Sequence, residues 1–264
     1  MAQVAANQDR SQAERAHFLY VQHARVISRK GKTIHCEEIT DTRVAPTAKG
    51  SVLKLLKLDG RLRVKHNYVT YHDLLPEHGD SNVKPEHDSV TINLDSASGL
   101  DRDLVENMRK NLTQDDSKDG LSARLFPLTT EDQKGFDYRL IGSENMNGRS
   151  VYHIAFQPKD KEEFTWKGDA YIDREALEPV VIRTTQARKI PFAVRTLLGV
   201  NLPGLGFTVV YAPQQDKVWF PVSFGTEFKI KVLFFFSREI LIAVDNGHFE
   251  RTHVTMELQD PLHP

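Results

Sequence analysis

Val218-Trp219-Phe220-Pro221-Val222-Ser223-Phe224-Gly225-Thr226-Glu227-Phe228-Lys229-Ile230-Lys231-Val232 decides how the rest of the chain is read. Even positions from Val218 to Val232 are apolar except Thr226, while Ser223, Gly225, Glu227, Lys229 and Lys231 occupy odd ones. Neighbouring strand side chains point to opposite faces, so this period of two predicts a strand with one apolar and one mostly wet face. A wet face favours antiparallel pairing. At about 3.3 Å per residue the stretch would span roughly 50 Å, far beyond a usual strand, so something must bend it. Pro221 and Gly225 are the expected places, by bulge, coil or edge position. Long, bent, one-sided strands belong in strongly curved sheets, which tend to enclose a hollow.

The totals exclude several classes. A chain of 264 residues can bury a large core. Lys and Arg number 35 against 36 acids, so no basic field recruits nucleic acid or anionic membrane. No apolar run approaches the length of a transmembrane helix. The single cysteine, Cys36, rules out an intramolecular disulfide and a multi-cysteine zinc site, which leaves a lone buried thiol as the expectation. Met1 to Gln8 has neither a basic flank nor an apolar stretch and does not read as a signal peptide; cytoplasmic and processed, secreted origins both fit.

In chain order, residues 4 to about 16 suit a helix of alanines among polar helix formers. Strands follow at Phe18 to Arg29 and Thr33 to Val44, around a turn at Lys30-Gly31-Lys32. Asp59-Gly60 predicts a hairpin between Val52 to Leu58 and Leu62 to Tyr71. Residues 72 to 88 read as a surface loop. A helix is expected from Asp101 to Asn111, capped by Asp101, with Leu104, Val105, Met108 and Leu112 as an apolar stripe that covers sheet. Phe136 to Glu144 and Arg149 to Gln157 form another hairpin, and 164 to 173 alternates as a strand. Strands at Pro179 to Thr185, Phe207 to Tyr211, Ile240 to Val244 and Phe249 to Met256 complete ten or eleven strands and two helices. The fold class is therefore mainly β with some α, a curved antiparallel sheet closed by one or two helices and an apolar loop.

That loop is Arg188 to Gly206, where Ile190, Phe192, Val194, Leu197, Leu198, Val200, Leu202 and Leu205 are too apolar for a freely solvated connection. Each such side chain is worth about 1.5 to 3 kcal/mol when buried, so the segment must lie on something apolar. Pro203-Gly204 and Gly206 supply hinges; Arg188, Lys189 and Arg195 rim it with positive charge.

Trp166-Lys167-Gly168-Asp169-Ala170-Tyr171-Ile172-Asp173, Glu178-Pro179-Val180 and Val218-Trp219-Phe220-Pro221, with the N-terminal helix and meander, resemble the bacterial LolA-like superfamily. The resemblance covers most of the chain, most densely from Tyr152 to Val254, and the nearest look-alikes are uncharacterised secreted proteins of soil bacteria such as Acidobacteria. It implies a single domain over residues 1 to 264, an incomplete antiparallel β-barrel whose concave face holds acyl chains, exported to the periplasm or secreted. The arginine with which lipoprotein carriers hold their lid closed has no matching position here, so lipoprotein carriage is not implied.

The expected role is a non-enzymatic carrier or binding protein for a lipid, fatty acid or other long apolar ligand, without cofactor. Phe192, Val194, Leu197, Leu198, Leu202 and Trp166 would line the cavity, and Arg188, Lys189 or Arg195 would meet an anionic head. The same loop as a permanent plug is an equal alternative. Others are an envelope interaction protein with a filled core, and a hydrolase in which His35 and Glu37, on one face of a strand, hold a metal. Histidines and acids crowd 72 to 88 without known ligand spacing, and no catalytic motif appears.

Overall fold

The structure, a computed structural model, describes residues 1–47, 50–72, 97–112, 127–146, 148–160, 166–186, 200–201, 206–232 and 236–252. Helix α1 (Ala2–Arg15) leads into β1 (Phe18–Lys30), β2 (Thr33–Thr47), β3 (Gly50–Val64) and β4 (Asn67–His72). Helix α2 (Ala97–Leu112) precedes β5 (Phe136–Met146), β6 (Arg149–Pro158), β7 (Trp166–Asp173), β8 (Pro179–Gln186), β9 (Val200–Asn201), β10 (Gly206–Pro213), β11 (Trp219–Val232) and β12 (Phe236–Arg251). They form one curved antiparallel sheet in the order β4-β3-β2-β1-β12-β11-β10-β8-β7-β6-β5, with the short β9 beside β11. Edges β4 and β5 do not pair, so the barrel is incomplete.

One transverse row defines the inner face. Leu58, Thr40, Ala24, Val244 and Phe224 stand opposite one another on successive strands. The row continues through Val209, Ile182, Ala170, Ile154 and Leu140. All are buried except Leu140 on edge strand β5, which is 62% exposed. Period two in ten strands thus becomes a single apolar stripe once the register is set. Val4 of α1 and Val105 of α2 join the same core, so both helices cover this face.

Residue-level differences from the sequence reading each have a physical cause. Asp59-Gly60 is not a turn: β3 runs straight through it, and the reversal comes at Lys65-His66, where Lys65 takes φ 58°. Gly60 lies opposite Tyr71, whose ring sits where a Cβ would be. Asp101 does not cap α2, which begins at Ala97; it lies inside the helix. Ile240 to Val244 and Phe249 onward are not separate strands but parts of β12, and Met256 lies outside the described residues. An extra residue bulges there, between the pairs Val21/Gly247 and Leu19/Glu250, and His248 has φ 54°.

The opening stretch behaves partly as expected. Pro221 does sit at a bulge, since Tyr211 faces Pro221 while Val210 faces Ser223. Gly225 lies in regular pairing on both sides. The extra residue, Val222, reverses the alternation: Phe224, Phe228 and Ile230 enter the main core, and so does Trp219. Val218 and Phe220 instead join a small second cluster with Phe18, Tyr20 and Val44. The apolar side is therefore not one continuous set of even positions.

Candidate functional site

At the end of the sheet where β7 and β10 begin, the inner face carries an aromatic wall. Trp166 meets Phe207 edge-on with centroids 4.8 Å apart, and Phe207 stacks on Phe224 at 5.4 Å. Register places them on one face: Trp166 opposite Gln186, Phe207 opposite Thr184, and Thr184 opposite Gly168. Trp166 and Phe207 are only partly buried, in contrast to the core row beside them. Thr226 donates to the Gly206 carbonyl at 2.6 Å and fixes the start of β10.

The apolar segment expected to close the hollow is tethered at this same end. It leaves β8 at Gln186, its Val200–Asn201 pair with Val232 and Lys231, and Gly206 faces Thr185. Phe192, Val194, Leu197, Leu198, Leu202, Arg188, Lys189 and Arg195 lie outside the described residues. Of the ligand-contacting set read from the sequence, Trp166 is the member the structure places, on the inner face.

Two residues along from the core row in the other direction runs a polar row that the sequence reading missed. Thr42, Gln22 and Asn246 face one another across β2, β1 and β12, and Thr42 and Gln22 are buried. Nε2 of Gln22 and Oδ1 of Asn246 have no hydrogen-bond partner among the described residues. Leaving such a group unpaired costs about 1 to 3 kcal/mol. A signal existed: Gln22 interrupts the apolar even positions of β1.

Helix α2 is clamped by buried charge. Arg238 grips Asp101 through two nitrogens, Ser28 donates to the same carboxylate at 2.6 Å, and Arg109 donates to buried Glu38 at 2.7 Å. Tyr71 also donates to Glu38, at 2.8 Å, while its hydroxyl lies 3.6 Å from the Cys36 sulfur. Burial pushes the Cys36 thiol up to about 12 and raises the Tyr71 hydroxyl as well. The lone cysteine is thus the buried, protonated thiol expected, unfit as a nucleophile.

The metal pair does not form. His35 is the extra residue of a bulge, because Ser28 faces Cys36 while Arg29 faces Ile34. The bulge turns its ring toward Asp101 and Arg238, each 3.5 Å away, and burial, then the Arg238 charge, lowers its pKa. Glu37 faces the other side and is engaged by Arg25 and Arg61. Among the described residues no group of three histidine, cysteine or acidic side chains could hold a metal.

Helix α1 is anchored by the residues that carried the family resemblance. Asp173 Oδ1 accepts from the backbone N–H groups of Glu175 and Ala176 at 2.9 Å, and Arg149 donates to Oδ2 at 3.0 Å. Burial opposes the charge, yet these bonds hold the carboxyl below its usual range. The turn so formed presents Glu178 to α1, where Gln8 and Ser11 donate to it, while Asn7 donates to the Ala176 carbonyl at 2.9 Å. A half-open cleft of about 370 Å³ lies beside it, between Arg10, Ser11, Glu178, Lys217 and Trp219. The Asp173 and Glu178 motif therefore builds the fold.

Residues 78–244 match the model of a family of unknown function, DUF5686. The chain belongs to this family. The DUF5686 match spans α2, the strands from β5 to β11 and most of β12, and so includes the aromatic wall, Arg238 and the Glu178 anchor. No curated protein matches this DUF5686 sequence. Solved structures similar to it include a putative outer membrane lipoprotein-sorting protein domain from Vibrio parahaemolyticus, with 11% identity, coverage of 97% of this chain and 96% of that one, and a TM-score of 0.42. A LolA superfamily protein from Nitrosomonas europaea has 10% identity, coverage of 96% and 94%, and a TM-score of 0.40. A DUF1329 family protein from Desulfovibrio piger has 12% identity, coverage of 96% and 92%, and a TM-score of 0.41. The LolA-like resemblance read from the sequence thus has counterparts among solved structures, and at this level it brings none of their ligands or partners with it.

Proposed function

We propose that this protein is an exported, periplasmic or secreted binding protein that holds a lipid, fatty acid or other long apolar chain on the inner face of its sheet, acting by burial rather than by chemistry. The observation that carries this reading is the half-buried wall of Trp166 and Phe207, which continues the buried, mostly apolar row from Leu58 to Ile154. A chain laid on it gains about 0.8 kcal/mol for each CH₂ removed from water. Among the described residues, burial keeps the Cys36 thiol protonated, and Asp101, Glu37 and Glu38 are each held by arginine. Phe192, Val194, Leu197, Leu198 and Leu202 would complete the apolar wall.

The chain has two tryptophans, so a Trp219→Phe variant reports on Trp166 alone. Titrating delipidated protein with a cis-unsaturated acyl lipid should shift its emission to the blue, and Phe207→Ala should weaken binding about tenfold, near 1.4 kcal/mol. The reading fails if purified protein carries no lipid and refolded protein takes none up.

A partner-protein reading draws on edge strand β4, whose Tyr68 and Val69 are exposed and whose outer side pairs with no strand among the described residues. Capture of an envelope protein by lipid-free chain, abolished by Val69→Lys with lipid uptake intact, would favour it.

A further inference from the structure

We propose that Thr42, Gln22 and Asn246 form a buried polar site that receives the uncharged, hydrogen-bonding head of the bound ligand, which makes that ligand a neutral amphiphile of the monoacylglycerol type rather than an ionised fatty acid. The proposal rests on the ligand-binding reading above and specifies the ligand's chemistry.

Gln22 is 1% exposed, yet its Nε2 has no acceptor among the described residues. Asn246, directly opposite on β12, is oriented by its own bond: Nδ2 donates to the Pro221 carbonyl at 2.8 Å, which leaves Oδ1 as an acceptor without a donor among the described residues. Thr42 faces Gln22 from the other side and adds a hydroxyl, and buried Thr40 follows two residues along. A donor and an acceptor that face each other without bonding suit a group that inserts between them. An ester carbonyl would accept from Gln22, and an adjacent hydroxyl would donate to Asn246.

The position suits an amphiphile. Asn246 lies two residues from Val244, whose partner Phe224 is part of the aromatic wall, so a head bound here sends its chain along the apolar row. Next to this row the charges of β1 and β2 stand at the alternate positions, His23 paired with Asp41 and Arg25 with Glu37, on the outer face, while the inner-facing Glu38 and Arg238 lie farther along and are held by Arg109 and Asp101 of α2. A carboxylate at the row would meet Asn246 Oδ1, and the described inner positions next to the row, Tyr20, Ala24, Thr40, Val44 and Val244, carry no cation. A neutral head has no such conflict.

The test is displacement of Nile red from delipidated full-length protein by 1-monooleoylglycerol and by oleate at pH 8, which share one acyl chain. Monooleoylglycerol should displace the dye at a concentration at least about tenfold lower. In Gln22→Met and Thr42→Val that preference should shrink to within about threefold while the affinity for Nile red itself, which reports apolar burial, stays unchanged. Both variants should melt at or above the parent temperature, because they remove polar atoms from an apolar surround. If neither lipid displaces the dye, the ligand-binding reading itself falls. If both displace it alike, or the variants keep the preference, ligand binding stands and the polar row is only a water-bridged part of the core. Preference for oleate, or loss of folding in Gln22→Met, also overturns the proposal.

Discussion

Arg238 and Asp101 meet in a two-pronged ion pair, Nε at 2.7 Å from Oδ1 and Nη2 at 2.8 Å from Oδ2, with side chains only 8% and 1% exposed. It ties the N-terminal part of α2 to the start of β12, and Ser28 from β1 donates to the same carboxylate.

Removing one partner leaves an uncompensated buried charge. Arg238→Met should therefore destabilise the protein by about 3 to 5 kcal/mol, whereas the double change Arg238→Met with Asp101→Leu should recover most of the loss. Urea denaturation of the three proteins measures this; equal losses in single and double variants would show that the pair holds nothing together.

Gly60 has no room for a methyl group, because the Tyr71 ring covers it and is itself held by Glu38 through its hydroxyl and by Arg102 stacked 4.6 Å above the ring. Gly60→Ala should cost about 1 to 3 kcal/mol by forcing the ring aside. In a Tyr71→Ala background the same substitution should be neutral or stabilising by about 0.4 to 1 kcal/mol, since it then only restricts the unfolded chain. The coupling is read from a double-mutant cycle.

Cys36 should resist labelling in the folded protein. With its pKa pushed up to about 12 by burial, almost no thiolate exists at pH 8, so Ellman's reagent should react only as fast as the protein unfolds. In urea the reaction should be immediate. The folded pKa lies above the unfolded value near 8.5, so this thiol's contribution to stability is intact below about pH 8.5 and is lost as pH rises toward 12.

Glu178 carries the opposite chemistry to Asp173 on the same turn. Burial raises its pKa, against the pull of Ser11 and Gln8, so the folded state favours the protonated form. Its contribution to stability is full below the unfolded value of about 4.3 and is lost as pH rises through the raised folded value. The neutral variant Glu178→Gln should therefore hold α1 in place at pH 7 and flatten the rise in melting temperature that the parent shows on acidification above pH 4. A parent profile with no such slope, or one that the variant shares unchanged, would contradict this.

Much of the architecture was legible because it is written locally. Alternation in the stretch from Val218 to Val232, in β7 and in β1 needs no partner to be seen, and neither does the stripe of Leu104, Val105 and Met108 that lays α2 on the sheet. The buried thiol was equally plain, since the chain has a single cysteine. The candidate site was legible in part: Trp166 lines the inner face, while the rest of its expected wall lies outside the described residues.

By itself, the sequence determined that the chain would form a curved antiparallel sheet with two covering helices, because side-chain period is a property of consecutive residues. Only the tertiary structure decided which residues share a face, since one extra residue at Val222, His35 or His248 reverses or redirects the alternation and depends on the partner strand. It alone turned Gly60 from a turn signal into a seat for Tyr71, and brought Asp101 to Arg238 across 137 positions of chain. The row of Thr42, Gln22 and Asn246 likewise exists only through cross-strand register, where polar residues from three strands become neighbours inside an apolar wall.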